Sequence, residues 1–359
     1  MPNLAVIEEF IKNSRKNHIL YVGERKGVEK EAVEKFATDN DLKHFAYKSI
    51  VAGKLRRYFS LQNFVDIFKV PIGVLQSYYA VRKFRPDFVF SKGGFVSVPV
   101  VFGAVLYNFG KGSRKIPIVI HESDLVPGLA NRIAAKAASH IFVSFEESRK
   151  HFKVRKGQVL KVTGNPIRGN VLKGDAARGQ KLCGFHRFKP VILTMGGSLG
   201  ARQINKLVWG KLDDLLKKYQ VVHITGKGNL KFGLQKEGYK QFELLFDELP
   251  DVYALCELVV SRGGANSLAE IAALGKKAVI IPLGTNASRG DQIVNAKHEA
   301  AKYGWQVLNG DVDGAKFLRA IDMANSTAFS GIEALHKGAC KAIFEHLFDL
   351  TIQAYRATI

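Results

Sequence analysis

Residues 258–292 have the sequence LVVSRGGANSLAEIAALGKKAVIIPLGTNASRGDQ, and this stretch decides the fold. An apolar, β-branched run at 258–260 leads into Gly263-Gly264, and the following residues predict a helix that opens at Asn266-Ser267 with Glu270 in its first turn. A strand that stops at glycines before a helix directs free backbone N–H groups and the positive helix end towards an anion. The stretch therefore predicts a site for the phosphate end of a ligand.

A second apolar strand, predicted at 278–282, follows this helix and leads into a polar loop that ends in Asp291-Gln292. In open α/β sheets, ligands bind at the carboxyl ends of the strands. We therefore expect the loop at Gly263-Gly264 and the loop before Gln292 to meet over one ligand.

A second glycine-rich turn follows an apolar run at 190–195 and precedes a predicted helix. Gly196 and Gly197 let a phosphate approach the backbone closely, and the Ser198 hydroxyl adds a donor. The alternative is a tight turn whose glycines only satisfy backbone geometry. The presence of two such turns at one sheet edge weakens this alternative. Neither turn matches G-x-G-x-x-G or G-x-x-x-x-G-K-[ST], so a nicotinamide cofactor and ATP lose support. No cofactor is predicted.

Strands alternate with helices along most of the chain, which predicts an α/β protein whose parallel sheets carry helices on both faces. At 359 residues, two domains are expected, with a linker and hinge in the glycine- and charge-rich stretch 164–189. The last 45 or so residues are predicted to be helical. Strands are predicted near 18–23, 43–50, 87–91, 116–121, 140–144 and 159–163, and then at PVILTM (190–195), QVVHI (220–224), FELLF (242–246), LVVS (258–261), KAVIIPL (277–283) and WQVLNG (305–310).

Polar residues also follow strands of the first domain. Lys92-Gly93-Gly94 stands between a strand and a helix, and His121-Glu122-Ser123-Asp124 ends another strand. Side chains at strand carboxyl ends face a ligand cleft, although an isolated His there is more often structural. Arg168 lies at the interdomain border and suits closure on a diphosphate, with a solvated linker arginine as the alternative.

The chain is strongly basic, with 54 Lys and Arg against 32 Asp and Glu and a net charge of +22. Nucleic acid, an anionic membrane surface and phosphorylated substrates fit this charge, as does a basic protein without a specific anionic partner. Cys183, Cys256 and Cys340 lack metal-ligand spacing and are predicted to be reduced core residues of a cytosolic protein. Without a signal peptide or a run of about 18 apolar residues, the chain is not expected to span a membrane.

Residues 53–85 combine basic side chains with aromatic and aliphatic ones, which suits a surface that lies on an anionic bilayer. The alternative is an ordinary amphipathic helix whose apolar face is core; two apolar clusters that flank the basic loop favour the membrane. RNA binding is the weaker competitor because no nucleic-acid module accompanies the charge, so no nucleic-acid partner is predicted. The predicted membrane residues are Arg56, Arg57, Tyr58, Phe59, Phe64 and Phe68.

Six motifs resemble, in order and spacing, those of the MurG family: SKGGFVSVP, HESDLVPGLANR, TGNPIR, MGGSLGA, SRGGANSLAE and SRGDQIVNA. The resemblance runs from Pro2 to about residue 310. It implies the two-domain GT-B fold with facing Rossmann-like domains. Residues 1–164 would bind acceptor and membrane, 165–335 the nucleotide sugar, and the helix at 336–359 would pack back towards the first domain.

The MurG resemblance also implies an activity and a location. The family's enzymes work at the cytoplasmic face of the cell membrane as peripheral proteins. They transfer N-acetylglucosamine from UDP-N-acetylglucosamine to the muramyl C4 hydroxyl of lipid I, with inversion, and so form lipid II for peptidoglycan. No metal is expected, because helix ends and Arg168 neutralise the leaving UDP. Asp311-Val312-Asp313 has the D-x-D spelling of metal-using glycosyltransferases, but we interpret it as a helix cap.

The resemblance implies roles for individual residues of the donor site. The family often has Asn where this chain has Asp124, and a carboxylate still accepts from a sugar hydroxyl. The implied contacts are Glu270 with the ribose, Phe246 beside the uracil, Ser198, Ala265 and Ser267 along the diphosphate, Arg168 on the phosphates, Asp291 and Gln292 on the sugar, and Gly196, Gly197, Gly263 and Gly264 in the phosphate turns.

One departure from the family concerns the start of the chain. The family begins with a strand and a GGTGGH loop, whose His is the favoured general base, whereas residues 2–16 here predict a helix with no strand before it. Loss of a central strand exposes ladder groups on both neighbours, and loss of the base lowers the rate by about 10²–10⁴-fold. Either the start is recorded too far downstream, which the intact other motifs favour, or the copy is inactive. The base is unassigned, and the alternatives are a UDP-sugar transferase acting on another membrane lipid and a catalytically silent homologue that binds UDP-sugar or membrane.

Overall fold

A computed structural model shows two compact units. The N-terminal unit comprises Met1–Pro166 and Gly338–Ile359, and the C-terminal unit comprises Ile167–Lys337. Each unit is built on parallel strands with helices between them, which confirms the predicted α/β class with two Rossmann-like parts. The structure describes residues 2–25, 28–53, 61–112, 115–186, 188–197, 199–284, 290–327 and 334–356.

Elements of the N-terminal unit follow the predicted alternation closely. Parallel strands buried on both faces require nearly continuous apolar runs, and β4, which lies between β3 and β5, is buried along its whole length. In chain order the elements are α1 (Pro2–Asn13), β1 (Ile19–Gly23), α2 (Val28–Asp39), β2 (Phe45–Ser49), α3 (Leu61–Phe84), β3 (Val89–Ser91), α4 (Ser97–Asn108), β4 (Ile118–Glu122), α5 (Leu129–Ala134), β5 (His140–Val143) and β6 (Val159–Val162), with most of α13 (Ala334–Arg356) added from the far end of the chain.

The N-terminal sheet is divided into two parts. β1 pairs with β2, and β3, β4, β5 and β6 form a separate parallel sheet. Within the described ranges, neither β1 nor β3 has a strand on its second side. A cavity of about 740 Å³ lies there, lined by both strands together with parts of α1, α3 and α13. The open edges therefore lie on either side of one space, which we call the inter-sheet gap.

Helix α1 bridges the two parts of this sheet. Leu4 packs with Tyr21 of β1 and Val33 of α2, whereas Val6 packs with Val119 of β4. On the same side, α13 contributes Ile343, Leu347 and Leu350 to the cluster that contains Val6, Val119 and Phe142. The first and last helices therefore share one hydrophobic core.

The C-terminal unit carries a single parallel sheet among its described residues, in the order β12-β11-β10-β7-β8-β9. The predicted strand FELLF is wrong in position, because β9 ends at Phe242, where that prediction begins. The elements are α6 (Ala176–Cys183), β7 (Val191–Met195), α7 (Arg202–Gly210), α8 (Leu212–Lys218), β8 (Gln220–Ile224), β9 (Tyr239–Phe242), α9 (Leu249–Leu255), β10 (Leu258–Ser261), α10 (Ala265–Ala273), β11 (Lys277–Ile280), α11 (Asp291–Tyr303), β12 (Gln306–Val307) and α12 (Gly314–Ser326).

The stretch 164–189 is not a linker throughout, contrary to the prediction. It contains α6, which is capped by Asp175 and packs closely against α9. A Cβ on Gly179 would lie 2.4 Å from the Asp251 carbonyl oxygen, so glycine is needed for this approach. The Arg178 guanidinium also donates to both Asp251 carboxylate oxygens, at 2.8 and 2.7 Å. The glycines and charged residues of this stretch therefore allow and stabilise the packing of α6 against α9.

Three smaller predictions concern the D-x-D motif, the cysteines and membrane-spanning helices. Asp313 is the N-cap of α12 and accepts from the Lys316 backbone N–H at 2.8 Å, which confirms the helix-cap interpretation of D-x-D. Cys183 and Cys256 are buried free thiols, whereas Cys340 is only partly buried. None of the helices in the described ranges combines the length and apolarity needed to cross a membrane.

A buried histidine joins α7 to the sheet of the C-terminal unit. Asn205 Oδ1 only accepts, so His223 Nε2, at 3.0 Å, carries the proton and donates to it. In a neutral imidazole Nδ1 is then an acceptor, so the Tyr239 hydroxyl donates to it at 3.0 Å and itself accepts from the Trp209 indole N–H. This chain of bonds accommodates a neutral imidazole. Burial lowers the pKa of His223 to about 3.

We expect His223 to make the protein less stable as the pH falls. Its folded-state pKa lies below the ordinary value of 6.5, so its contribution is complete above pH 6.5 and is lost as the pH falls towards about 3. Each pH unit in that window should cost about 1.4 kcal/mol. Urea unfolding at pH 7, 6 and 5 should show a steeper loss for the unaltered protein than for His223→Gln. The exposed His151→Gln should keep the original slope; equal slopes for all three proteins would contradict this prediction.

Candidate functional site

The glycine turn after β10 positions the start of α10. Gly264 is the N-cap of this helix with an extended backbone, and a Cβ there would meet no atom within 4 Å. The helix begins at Ala265, so Glu270 lies in its second turn and the predicted first-turn position is wrong. The reason is that Gly264 itself supplies the non-helical cap residue, ahead of the polar Asn266-Ser267.

The turn after β10 lies against the start of α11. A Cβ on Gly263 would lie 2.4 Å from the Gln292 carbonyl oxygen, so only glycine fits at this contact. Gln292 Oε1 accepts from the Leu283 backbone N–H at 3.0 Å, which leaves the amide N–H₂ of Gln292 as the donor end. Asp291 is the first residue of α11, after Gly290 in a left-handed conformation with φ of 77°.

Glu270 has a hydrogen-bond partner on α9 and a positive charge nearby. The Tyr253 hydroxyl on α9 lies 3.2 Å from Glu270 Oε2 and 3.5 Å from the sulfur of Met195, at the end of β7. Ile167 packs on Ala269 and Ala273 of α10, which places the next residue, Arg168, near the carboxylate. Burial raises the pKa of Glu270, whereas the Arg168 charge and the Tyr253 hydrogen bond act in the opposite direction. The result is an oriented acceptor at the edge of the sheet.

The turn after β7 is also shaped by close backbone approaches. A Cβ on Gly196 would lie 2.4 Å from the backbone nitrogen of Ala201, whereas Gly197, at φ +81°, faces open space. Gly200, at φ +75°, approaches the Thr225 carbonyl, so its lack of a side chain is required by the neighbouring β8 loop. Ser198 lies outside the described residues. Gly196 therefore has a packing reason to be glycine, and Gly197 leaves room beside the backbone.

The remaining predicted donor residues divide between the two units. Ala265 is buried and Ser267 half-buried in the first turn of α10, and Phe246 is 48% exposed in the loop between β9 and α9. Asp124 belongs to the N-terminal unit, where its backbone N–H donates to Glu122 Oε1 at 2.9 Å. Within the described ranges, no cluster of His, Cys, Asp or Glu has the geometry of a metal site.

Two residues beside the predicted donor site were not anticipated from the sequence. Tyr253, which orients Glu270, lies in an apolar helix with nothing in the sequence to relate it to the glycine turns. Arg262 donates to the carbonyl of Ile281 and to the side chain of Gln203, at 3.0 and 3.1 Å, and so ties β10 to β11 and α7. Its position next to the two glycines was the only indication in the local sequence. Its hydrogen bonds stabilise the turn.

The structure describes little of the segment that contains the predicted membrane residues. Arg56, Arg57, Tyr58 and Phe59 lie outside the described residues, and Phe64 and Phe68 belong to α3 in a part whose side chains are not described. Further along α3, Ile72, Leu75 and Tyr79 are 50%, 52% and 63% exposed. Their spacing of three and four residues places them on one helix face.

The N-terminal unit has its own polar cluster where β3 and β4 end. Lys92 Nζ lies 2.9 Å from His121 Nδ1 and donates to Asn165 Oδ1 at 2.8 Å. The buried Glu122 accepts from two backbone N–H groups and from Asn131 Nδ2 at 2.9 Å. Sequence reasoning placed His121 and Lys92 at strand ends, but it gave no sign that they meet.

Both halves of the chain match descriptions of known domains. Residues 1–143 match the glycosyltransferase family 28 N-terminal domain, and residues 191–331 match the family 28 C-terminal domain.

Comparison with named proteins gives close relatives over nearly the whole chain. A Bacillus anthracis protein named UDP-N-acetylglucosamine--N-acetylmuramyl-(pentapeptide) pyrophosphoryl-undecaprenol N-acetylglucosamine transferase 2 is 49% identical over 97% of this chain and 95% of its own. A Bacillus cereus protein of the same name is 45% identical over the same shares. Among solved structures, Acinetobacter baumannii MurG superposes with a TM-score of 0.64 at 19% identity, over 97% of this chain and 95% of that one.

Proposed function

We propose that this chain, which belongs to the MurG family within glycosyltransferase family 28, transfers N-acetylglucosamine from UDP-N-acetylglucosamine to lipid I and so forms lipid II. The observation that carries the proposal is 49% identity over 97% of the chain to a transferase named for this reaction. The arrangement of the glycine turns with Glu270 supports binding of UDP-N-acetylglucosamine independently of the names of the relatives.

The donor is proposed to bind the C-terminal unit at the carboxyl ends of β7, β10 and β11. Glu270 would accept hydrogen bonds from the ribose hydroxyls, and Phe246 would lie beside the uracil. The open backbone at Gly197 and Gly264 suits the diphosphate, because a phosphate can approach closely where no Cβ intervenes. The Gln292 amide N–H₂ is directed to the sugar in this proposal, since its oxygen is already used by Leu283.

The reaction would be a single in-line displacement. The oxygen of the muramyl C4 hydroxyl forms a bond to the anomeric carbon, the bond from that carbon to the UDP oxygen breaks, and configuration inverts. Charge develops on the leaving diphosphate, so fixed positive charge is most effective there. The N-terminus of α10 and the guanidinium of Arg168 supply it in our proposal.

The proposal is tested by transfer of labelled N-acetylglucosamine from UDP to a lipid I analogue. The unaltered chain is compared with a version that carries a GGTGGH-containing start. Transfer by either protein to lipid I supports the reaction. Transfer only to a different lipid acceptor identifies another UDP-sugar transferase, and UDP-N-acetylglucosamine binding without any transfer identifies a silent homologue; both results overturn the proposal.

We also propose that the N-terminal unit docks on an anionic membrane through α3 and α4. The two helices run side by side, since a Cβ on Gly73 or Gly103 would lie 3.1 Å from Pro99 or 2.5 Å from Ser77. The exposed Ile72, Leu75 and Tyr79 on α3 and the 88% exposed Phe109 just after α4 offer apolar side chains to a bilayer. The chain's charge of +22 favours an anionic lipid surface.

Replacing Ile72, Leu75 and Tyr79 together with glutamine is expected to weaken binding to phosphatidylglycerol vesicles by about tenfold or more, because apolar area is lost from the contact. Vesicle co-sedimentation measures this directly. The control is Phe232→Gln, which removes a 91% exposed aromatic from the C-terminal unit and should leave binding unchanged. Equal binding of the triple variant and the unaltered protein would show that this face does not contact the membrane.

A further inference from the structure

Lys92 is the amine that the fold places at the ligand edge of the N-terminal unit. It follows β3 directly, beside the end of β4, which carries His121. Ligands on parallel sheets bind at this edge. Lys92 is also only partly buried. It is therefore placed to meet a molecule bound above the sheet.

The hydrogen bonds of His121 fix the direction of its contact with Lys92. His121 is fully buried, and its Nε2 lies 2.9 Å from the Gly164 carbonyl oxygen. A carbonyl only accepts, so Nε2 carries the proton. In a neutral imidazole, Nδ1 is then an acceptor, and Lys92 must donate to it. The second contact of Lys92, with Asn165 Oδ1, is also a donation because Ser123 Oγ donates to the same oxygen.

These two donations account for both N–H groups of a neutral amine. The remaining tetrahedral position on Nζ is then a lone pair, which is the only acceptor the amine has. Burial lowers the pKa of Lys92 to about 7, against the opposing charges of Glu122 on β4, Cys340 on α13 and Asp124 in the loop after β4. The neutral amine is consequently well populated near neutral pH, and its lone pair has no hydrogen-bond partner among the described residues.

We propose that Lys92 is the proton acceptor of the transfer reaction, a role that rests on the proposed function. The muramyl hydroxyl oxygen bonds to the anomeric carbon, and its proton passes to the Lys92 lone pair. The sugar bond to UDP breaks at the same time, and UDP leaves as the anion, so charge is conserved as ammonium and diphosphate. The proton then returns to solvent. His121 and Asn165 are positioning residues, because they accept the two N–H groups of the amine.

The pH dependence of kcat tests this role. The unaltered chain should show an ascending limb with a midpoint near pH 7. Lys92→Arg keeps a cation and its donors but cannot accept a proton, and Lys92→Ala removes the amine. Both should lower kcat by about 10²–10⁴-fold, flatten the limb and leave KM for UDP-N-acetylglucosamine unchanged. Methylamine or ethylamine should restore the activity of Lys92→Ala by at least about tenfold, in proportion to the free-base concentration.

The control Lys150→Ala removes one exposed positive charge from the same unit and should behave as the unaltered chain. A Lys92→Ala variant that keeps the ascending limb, or that fails to respond to amines, would show that Lys92 only supports His121, and it would overturn the assignment. Transfer by the extended version alone would also overturn it while the reaction stands. Donor binding without transfer by either version would overturn the proposed function itself.

Discussion

Replacing Glu270 with alanine is expected to lower kcat/KM for UDP-N-acetylglucosamine by about 10²–10³-fold, because two hydrogen bonds from ribose hydroxyls to a charged acceptor contribute about 1.5–3 kcal/mol each, less partial compensation by water. The structure supports a large effect, since the Tyr253 hydroxyl lies within hydrogen-bond distance of the carboxylate before any ligand binds. Preorganisation of this kind lowers the entropy cost of binding. Steady-state kinetics with a lipid I analogue measure the change.

A donor without ribose hydroxyls separates this role from a loss of folding. With 2′,3′-dideoxy-UDP-N-acetylglucosamine, the unaltered chain and Glu270→Ala should have similar kcat/KM, since the interaction is already absent. Tyr253→Phe should lower kcat/KM for the natural donor by about three- to tenfold, because it removes only the hydrogen bond that orients Oε2. Glu257→Ala, at an exposed carboxylate before β10, is the matched charge control. If Glu270→Ala lowered kcat/KM for the dideoxy donor as much as for the natural donor, the carboxylate would not act through the ribose hydroxyls.

An added strand is expected to fill the inter-sheet gap. Alternate residues of a strand direct their backbone groups to opposite sides, and Ile19 and Val89 donate to His44 and Pro117 on the paired sides. The N–H groups of Leu20 and Phe90 therefore point into the gap. A strand ahead of Pro2 that runs parallel to β1 would form a strand–α1–β1 crossover with the usual right-handed connection. Five residues at about 3.3 Å each match the length of β1.

Extending the chain with five apolar residues and a glycine loop should raise the free energy of unfolding by about 2–3 kcal/mol, since burial of about 400 Å² outweighs the entropy of ordering about five residues. Hydrogen exchange at the Leu20, Val22 and Phe90 amides should slow by about 10²-fold. An extension of equal length with proline at alternate strand positions cannot join a central ladder and is the control. Unchanged exchange at all three amides with the apolar extension would show that the gap does not accept a strand.

The sequence predicted those elements whose signals are local. The run at 258–260 and the glycines after it give both β10 and the start of α10 within a residue or two, because strand, turn and cap chemistry lie next to one another in the chain. The same holds for α4 (Ser97–Asn108), since a helix was predicted to follow Lys92-Gly93-Gly94. Buried parallel strands were found for the same reason, since their apolar runs are continuous.

The FELLF prediction failed because tertiary packing used the apolar residues in another way. β9 is an edge strand at Tyr239–Phe242, and Leu245 reaches the core from the loop that follows it. An apolar run shows that residues become buried, but not whether a strand or a loop buries them. The linker at 164–189 failed for a related reason. Its glycines allow α6 to approach α9, a contact made by residues more than 70 positions away.

The polar sites depended on contacts that no local pattern contains. Lys92 and Asn165 are 73 positions apart, and Tyr253 and Glu270 come from different helices. Strand-end positions predicted that His121 and Lys92 lie at a sheet edge, and the glycine turn before its helix predicted the same for Glu270. Their partners follow from the order of strands in each sheet, which the sequence alone does not specify. The sequence therefore indicates candidate residues for the sites, whereas their arrangement follows only from the fold.

The position of α13 has a consequence for synthesis on the ribosome. Ile343, Leu347 and Leu350 complete a core whose other members include Val6 and Val119, so this core joins the two ends of the chain. The C-terminal unit, Ile167–Lys337, is continuous in sequence and can acquire its full set of contacts first. The N-terminal unit is translated earlier, but its core lacks α13 until the end of the chain has been synthesised. Translation order and the order of completion are therefore reversed, and during elongation the apolar surface of Val6, Val119 and Phe142 lacks its final cover.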